Sequence, residues 1–488
     1  MNTYLFTVCL SLLLSMGITP LVIELARRRG WMDQPNARSV HRLPVARLGG
    51  IAIFTAVMLT LIPVLLLTNV IGAEFRQQGL KMAALLVAAT LMFAVGVWDD
   101  LYGARARIKL AAQLVAAIGV YAAGIRISSI TVEGLFTLDF GALALPLTLI
   151  WLIGATNAVN LIDGLDGLAA GISAIACAVI AVLAAISGNV VLAVIMLAML
   201  GALGGFLFFN FSPAKIFMGD CGSLFIGFLI AAATVMTNAK THAMAGFAVP
   251  ILVLGIPIFD TFFSMLRRFL LRRAIMSADR GHFHHRLLDL GFSQRHVVIV
   301  AYGVTVLISG LGFFLLATRS GASVIVFLAC LLLLLLVFRI VGSVRLGETL
   351  AGIQRRRQLI SEQGAERRCF DEVQLHFFNA ETFDQWWHCV CEATGTLQFA
   401  RVQLDLTNRD GSRRTLAWDN PNIDASPERI DMHVPIPDRR DGSDVKLNVQ
   451  IPRDGSLESV GRRITYLTRL MEEHGLNSLA GVQQEHSR

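Results

Sequence analysis

The sequence predicts an all-α polytopic membrane protein of about eleven transmembrane helices, followed by a C-terminal α+β domain. Three observations carry that expectation. Of 488 residues, 55% are hydrophobic and 16% charged, with a mean hydropathy of +0.62, which excludes an ordinary soluble enzyme. Apolar stretches approaching the ~20 residues that a bilayer crossing needs recur eleven times before residue 344. The charge balance changes sign at the same place, with 23 basic and 13 acidic residues before it and 19 and 22 after it. The chain therefore divides into a membrane domain, 1–344, and a soluble domain, 345–488. A basic membrane body suits anionic lipid or phosphate partners and gives no sign of nucleic acid. The seven cysteines are scattered, without the spacing of a disulfide framework or a zinc site.

In order, the expected spans lie near residues 4–26, 49–71, 80–98, 107–125, 141–157, 168–187, 190–209, 221–238, 244–266, 296–317 and 321–341. The first reads as a retained span, because no basic residue precedes it and Arg27, Arg28 and Arg29 follow it. Exits of odd-numbered spans carry 17 basic residues and those of even-numbered spans 5. The odd exits are then cytoplasmic, the amino terminus is periplasmic, and an odd number of spans leaves the tail in the cytoplasm.

Carboxylates near a membrane are costly, so their placement is informative. Eight of the thirteen in the body fall in odd-span exits: Asp33, Asp99, Asp100, Asp163, Asp166, Asp220, Asp279 and Asp289. Polar helix ends explain any one of them, but not their crowding into a few Gly-rich or His-rich loops. After span 3 comes Asp99-Asp100, with Lys109 and Gln113 on the next helix, and adjacent carboxylates persist most easily beside a cation. After span 5, Asn157, Asn160 and Asp163 stand three apart and share a face if the helix continues, ahead of Gly164, Asp166 and Gly167. The alternative there is a polar helix end closed by Asp-Gly turns.

After span 7, Phe217-Met218-Gly219-Asp220 precedes span 8. Asp220 reads either as a helix N-cap or, with glycines on both sides, as part of a loop that a bulky anion or nucleotide approaches. After span 9, Arg280 leads into His282, His284, His285 and Arg286. Three histidines in four residues suit a metal, yet the flanking arginines favour a phosphate ligand over zinc. Gly201 and Gly205 have the spacing of close helix packing in a membrane. Asp260, inside span 9, reads as a buried structural carboxylate, with proton or ion transfer as the alternative. Neither a Walker A loop nor a GxSxG elbow is present.

Hard oxygen donors suit Mg²⁺, which is usually held by one or two carboxylates together with substrate phosphates. Lys, Arg and His spread the charge of a transferring phosphoryl group. A site with soluble nucleotide on one side and bilayer on the other points to phosphoryl transfer from a nucleotide to a lipid.

Five motifs in order carry a resemblance. They are Asp33-Gln-Pro35-Asn36-Ala-Arg38-Ser39-Val-His41 with Arg47-Leu-Gly49-Gly50, then Asp99-Asp100, then Asn157-x-x-Asn160-x-x-Asp163-Gly164-x-Asp166-Gly167, then Phe217-Met-Gly-Asp220, and His282-Phe-His284-His285. Over roughly residues 1–344 the chain resembles the polyprenyl-phosphate N-acetylhexosamine-1-phosphate transferases of glycosyltransferase family 4, in particular the bacterial undecaprenyl-phosphate GlcNAc-1-phosphate branch. The resemblance implies the family's eleven-span topology with the amino terminus outside, in a bacterial inner membrane. It implies transfer of N-acetylhexosamine-1-phosphate, by preference GlcNAc-1-phosphate, from the UDP-sugar to undecaprenyl phosphate, releasing UMP. That would be the first membrane step of a cell-surface glycan such as O-antigen, enterobacterial common antigen or the teichoic-acid linkage.

The resemblance also assigns roles. Asp220 and Asn160 would hold Mg²⁺, with Mn²⁺ able to substitute. Asp99 and Asp100 would be catalytic, at the lipid phosphate. Lys109 would contact phosphate, Phe217 stack on uracil and Asp166 hydrogen-bond it, while Asn157 and Asp163 complete the substrate site. Arg280, His282, His284 and His285 would hold the diphosphate and sugar. A deoxy-N-acetylhexosamine or muramyl-pentapeptide donor is the alternative within the reaction, although the HxHH form looks less like the muramyl branch. A secondary transporter is the alternative in another class, and its binding groups belong near the bilayer midplane.

The resemblance leaves out the tail. There the pattern predicts short helices at Leu346–Leu359 and Glu381–Glu392. Strands follow at Phe399–Leu406, Arg413–Trp418, Ile430–Val434 and Val445–Ile451, then a helix at Leu457–Glu473. No catalytic constellation stands out, so regulation or docking of a protein partner is the reading for this domain. A homodimer is left open.

Overall fold

The structure is a computed structural model. It describes residues 2–34, 44–66, 70–132, 136–241, 244–270, 282–317, 321–341, 354, 368, 370–407, 413–423, 429–436, 445–452 and 457–475. The chain separates into two compact units, Met1–Thr349 and Leu350–Arg488.

The first unit is a helix bundle. Its long elements are α1 (Asn2–Arg29), α2 (Gly50–Leu66), α3 (Val70–Gln77), α4 (Gly79–Tyr102), α5 (Ala106–Ala122), α6 (Ala144–Leu161), α7 (Leu168–Ile186), α8 (Val190–Asn210) and α9 (Gly219–Thr241). They continue with α10 (Met244–Val253), α11 (Gly255–Leu270), α12 (Phe283–Asp289), α13 (Gln294–Ala317) and α14 (Gly321–Ile340). Helix occupies each of the eleven stretches expected to span. Among the described residues seven helices are long and apolar enough to cross a membrane, within α1, α4, α6, α7, α8, α9 and α13. Helices α2 and α5 have 17 residues each, and the ninth stretch is broken at Leu254 into α10 and α11.

Helix α9 is the axis. Its crossing window is 89% buried, and α2, α4, α6, α7 and α10 pack around it, as expected of a helix apolar on every side. Helix α1 instead buries one stripe, Thr7, Ser11, Ser15, Thr19, Val22 and Ala26, at intervals of three or four. That stripe lies on α8, where a Cβ on Gly201 or Gly205 would come within 2.4 Å of the Val8 or Leu12 carbonyl oxygen. Only glycine permits so close an approach, and Ser11 Oγ donates to the Ala198 carbonyl across the contact at 2.6 Å.

Two short pairings flank the bundle. Strands β1 (Met32–Asp33) and β2 (Val45–Ala46) pair antiparallel, and Ala46 bridges to Ile216. A hairpin of β3 (Ser129–Val132) and β4 (Phe136–Asp139) joins α5 to α6.

The second unit has a helix over residues 370–378 (α15), α16 (Phe383–Thr396), strands β5 (Arg401–Thr407), β6 (Arg413–Asp419), β7 (Arg429–Ile436) and β8 (Val445–Pro452), and α17 (Leu457–Glu473). The strands form one antiparallel sheet in the order β6-β5-β8-β7. Its core gathers Trp386 and Val390 from α16, Val402, Leu404, Leu447 and Val449 from the central strands, and Leu467 and Leu470 from α17. The amphipathic helix expected at 346–359 lies outside the described residues, apart from residue 354.

Candidate active site

One end of the bundle gathers the exit of α4, the start of α5, the exit of α6 with its following loop, and the start of α9. Helix α4 reaches α9 because Gly96 lacks a side chain: a Cβ there would lie 2.4 Å from the Cys221 Cα. The segment ahead of α9 is clamped from the other side, where Gly49 and Gly50 donate their backbone N–H groups to the Phe217 and Met218 carbonyls at 2.9 and 2.8 Å.

Adjacent residues on a helix point about 100° apart, so Asp99 and Asp100 face different neighbours. Asp100 accepts from the backbone N–H of Asp220 through Oδ1 at 2.9 Å and from that of Cys221 through Oδ2 at 3.0 Å. It thereby caps α9 from another helix. Asp220 is not itself the cap, since it lies inside the first turn. Asp99 Oδ1 accepts from the Ala104 N–H at 2.6 Å. Its Oδ2 accepts from Lys109 Nζ at 2.9 Å, and the same ammonium donates to Asp220 Oδ2 at 2.8 Å.

Helix α6 ends at Leu161, so Asn157 and Asn160 occupy its last turns and Asp163 lies beyond it. The two asparagines face different helices. Asn157 pairs with Gln113 of α5, donating to Oε1 at 2.7 Å, whereas Asn160 Nδ2 donates to Ser223 Oγ of α9 at 2.8 Å. That bond leaves the Asn160 carbonyl oxygen as the group it offers. In the loop, Asp166 Oδ2 accepts from the Ala214 N–H at 3.0 Å. Asn210 accepts from the Gly167 N–H at 3.1 Å, and Tyr302 donates to the Gly167 carbonyl. Burial, reinforced by the Asp220, Asp100 and Asp166 carboxylates, pushes the Asp163 pKa up to about 8.

The histidines enter on α12. Asp260 of α11 is 3% exposed; its Oδ1 accepts from the Phe283 N–H at 2.7 Å, and its Oδ2 lies 3.0 Å from His282 Nδ1. The His282 and His284 rings stack with centroids 5.6 Å apart, and His285 lies 4.5 Å from His284. Burial lowers the His284 pKa to about 3, with His285 and His282 adding and Asp260 opposing. His284 is therefore a neutral imidazole at physiological pH. Arg280 lies outside the described residues.

A cavity of about 410 Å³ opens among these elements. Of the residues singled out from the sequence, Asp100, Asn160, Asp163, Asp166, Phe217, Asp220 and His285 line it. Asp99 and Lys109 join it through Asp220. His284 Nε2 comes within 3.2 Å of where a Cβ on Gly164 would stand. Asn157 and His282 are not among the lining residues, and Gln113 and Asp260 hold them in place.

The lining also includes Asp33, Arg47, Asn210 and Gln294, which the residue-by-residue reading did not assign to a site. Asp33 and Arg47 form an ion pair, and both stand in the first of the five motifs. Asn210 shows in the sequence as the polar end of a long apolar run.

The donors fit a hard divalent cation. Asp220 and Asn160 both line the cavity, and the Lys109 ammonium bridges Asp220 and Asp99. Among the described residues no three His, Cys, Asp or Glu side chains converge as a metal cluster. Two protein donors completed by substrate phosphates is the arrangement usual for Mg²⁺.

Residues 82–238, which run from α4 into α9, match the profile of glycosyl transferase family 4. A Bacillus subtilis (strain 168) protein described as a probable undecaprenyl-phosphate N-acetylglucosaminyl 1-phosphate transferase is 37% identical over 293 residues, 60% of this chain and 79% of the relative. A decaprenyl-phosphate N-acetylglucosaminephosphotransferase of Mycobacterium tuberculosis (strain ATCC 25618 / H37Rv) is 33% identical over 303 residues, 57% of this chain and 74% of the relative. An undecaprenyl-phosphate alpha-N-acetylglucosaminyl 1-phosphate transferase of Escherichia coli O157:H7 is 28% identical over 298 residues, 59% and 77%.

Proposed function

The chain belongs to glycosyl transferase family 4, and from that membership we propose that it transfers GlcNAc-1-phosphate from UDP-GlcNAc to undecaprenyl phosphate. The products are the diphosphate-linked lipid and UMP. One observation carries the reading: Lys109 holds Asp99 and Asp220 together beside a carboxylate-lined cavity at the ends of the helices. A transporter would gather its binding groups near the middle of its helices. We place the site and the tail in the cytoplasm of a bacterial inner membrane, with eleven crossings and the amino terminus outside. A periplasm-active reporter should then work at the amino terminus and fail after Arg488.

Asp220 and Asn160 would hold Mg²⁺, which when bound offsets the charge of the donor diphosphate. A lipid phosphate oxygen attacks the phosphorus that carries the sugar. That phosphorus parts from the bridging oxygen, which leaves with UMP. The attacking oxygen is already anionic, so positioning matters more than activation, and Asp99 orients it or takes its remaining proton. The chemistry is a single displacement through a ternary complex, without a sugar-phosphate on Asp99 or Asp100. Phe217 stacks on the uracil and Asp166 hydrogen-bonds it. The histidine cluster and Arg280 hold diphosphate and sugar, with His284 contributing as a neutral hydrogen-bonding group.

The test is transfer of label from UDP-GlcNAc to undecaprenyl phosphate in detergent. Activity should vanish with EDTA, return with Mg²⁺ or Mn²⁺, and be absent from a folded Asp220→Ala protein. Full turnover in EDTA would overturn the metal assignment. Stoichiometric UMP release without lipid, with label retained on an aspartate, would overturn single displacement. A deoxy-N-acetylhexosamine donor that wins a kcat/KM competition would replace GlcNAc.

A further inference from the structure

Asp260 stands in an apolar stretch, is nearly closed to solvent, and is absent from the cavity wall. A buried carboxylate is costly unless each oxygen is satisfied. Here one oxygen takes the Phe283 backbone N–H at 2.7 Å and the other meets His282 Nδ1 at 3.0 Å. With the carboxylate oxygen as the acceptor, the imidazole carries its proton on Nδ1. That leaves Nε2 as the ring nitrogen available to a ligand. Both contacts act on the two residues where the chain enters α12, just ahead of His284 and His285.

We propose that Asp260 is a positioning residue for sugar-phosphate transfer: it fixes the tautomer of His282 and the start of α12, and so aims the histidine cluster at the donor diphosphate. This rests on the transfer reading above. Asp260 touches no substrate; its influence passes through His282 and the Phe283 backbone.

The two contacts are separable by substitution. In Asp260→Asn the side-chain carbonyl still accepts from Phe283, so the helix start is kept. The amide now donates toward Nδ1, moves the ring proton to Nε2 and reverses the hydrogen-bonding sense of that second nitrogen. A wrong tautomer in an otherwise intact site is a loss of turnover rather than of fold. Asp260→Asn should lower kcat by about 10²-fold, with KM for the UDP-sugar changed by less than about threefold and an unchanged thermal midpoint in detergent. In Asp260→Ala the helix start is lost as well, so kcat and thermal midpoint should both fall.

A double-mutant cycle decides whether the effect runs through His282. In a His282→Ala background the Asp260→Asn change should cost less than about threefold, because its target is gone. Additive losses, or Asp260→Asn turning over within about threefold of the parent, would overturn the proposal. A second readout needs no activity. In protein labelled with ¹⁵N-histidine, the His282 signal, assigned by its loss in His282→Ala, should report a protonated Nδ1 in the parent and a protonated Nε2 in Asp260→Asn. A parent with Nε2–H would overturn the tautomer assignment even in active protein. Absent transfer with Nδ1–H present would instead count against the proposed reaction.

Discussion

The amino ends of α9 and α12 are each held by an aspartate from another helix, and the two aspartates divide their oxygens differently. Asp100 gives both to backbone, the Asp220 and Cys221 N–H groups. Asp260 gives one to backbone and the other to an imidazole. The same side chain therefore does two kinds of work. At α9 it sets only where a carboxylate sits, because Asp220 acts through its own oxygens. At α12 it also sets which nitrogen carries a proton. Removal of Asp100 should accordingly be felt as displacement, whereas removal of Asp260 should also be felt as altered chemistry.

The largest effect should come from breaking the α9 cap. Asp100→Ala leaves two backbone donors without their acceptor, so kcat should fall about 10²–10³-fold as Asp220 shifts, and stability by about 0.5–2 kcal/mol. Turnover within threefold of the parent would mean that the cap does not position Asp220. Lys109→Met keeps the cap while removing the cation between Asp99 and Asp220. Its kcat should drop about 10²-fold, with Asp100→Ala the less stable of the two proteins in a thermal melt.

Gly164→Ala touches the place where the α12 histidines meet the α6 loop. The new methyl would press on His284 Nε2, 3.2 Å away, and kcat/KM for the UDP-sugar should fall about tenfold. An equal loss in Asp100→Ala and Gly164→Ala would dissolve the distinction between the two ends.

The smallest effect concerns stability alone. Asp163 has its pKa pushed up to about 8, so between the ordinary carboxylate range and that value the folded protein binds more protons than the unfolded chain. Its contribution to stability therefore declines as pH rises through that window. In EDTA, Asp163→Asn should melt about 2 °C higher than the parent at pH 8 and gain less at pH 5. Equal gains at both pH values would show that ionisation of the buried Asp163 carboxyl is not the cause.

Much of this was legible beforehand because membrane helices and loop motifs are local signals. Helix occupies each of the eleven apolar stretches, the four tail strands fall within two residues of β5–β8, and Glu381–Glu392 overlaps α16 but stops four residues short of its end. Partnership was not legible. Asp99 and Asp100 are identical neighbours in the chain, and only the direction of each on α4 makes one a lysine's partner and the other a cap. Asn157 and Asn160 share a spacing but bond to different helices. Asp260 was visible as an isolated carboxylate, yet its partner stands 22 residues on, beyond the end of α11, and no periodicity links them.

The contact between α1 and α8 bears on how the chain is made. Ser11 meets Ala198, 187 residues later, so at ~5–20 residues per second the first helix waits about ten to forty seconds for its partner to be synthesised. Through that interval the stripe of Thr7, Ser11, Ser15 and Thr19 has no groove to enter. Thr7 and Thr19 bond to the carbonyls of Thr3 and Ser15, one turn back on the same helix, a pairing that needs no second helix and quiets a hydroxyl in lipid. The first helix can therefore be inserted early and stored, and α8 claims it when the ribosome has delivered Gly201 and Gly205.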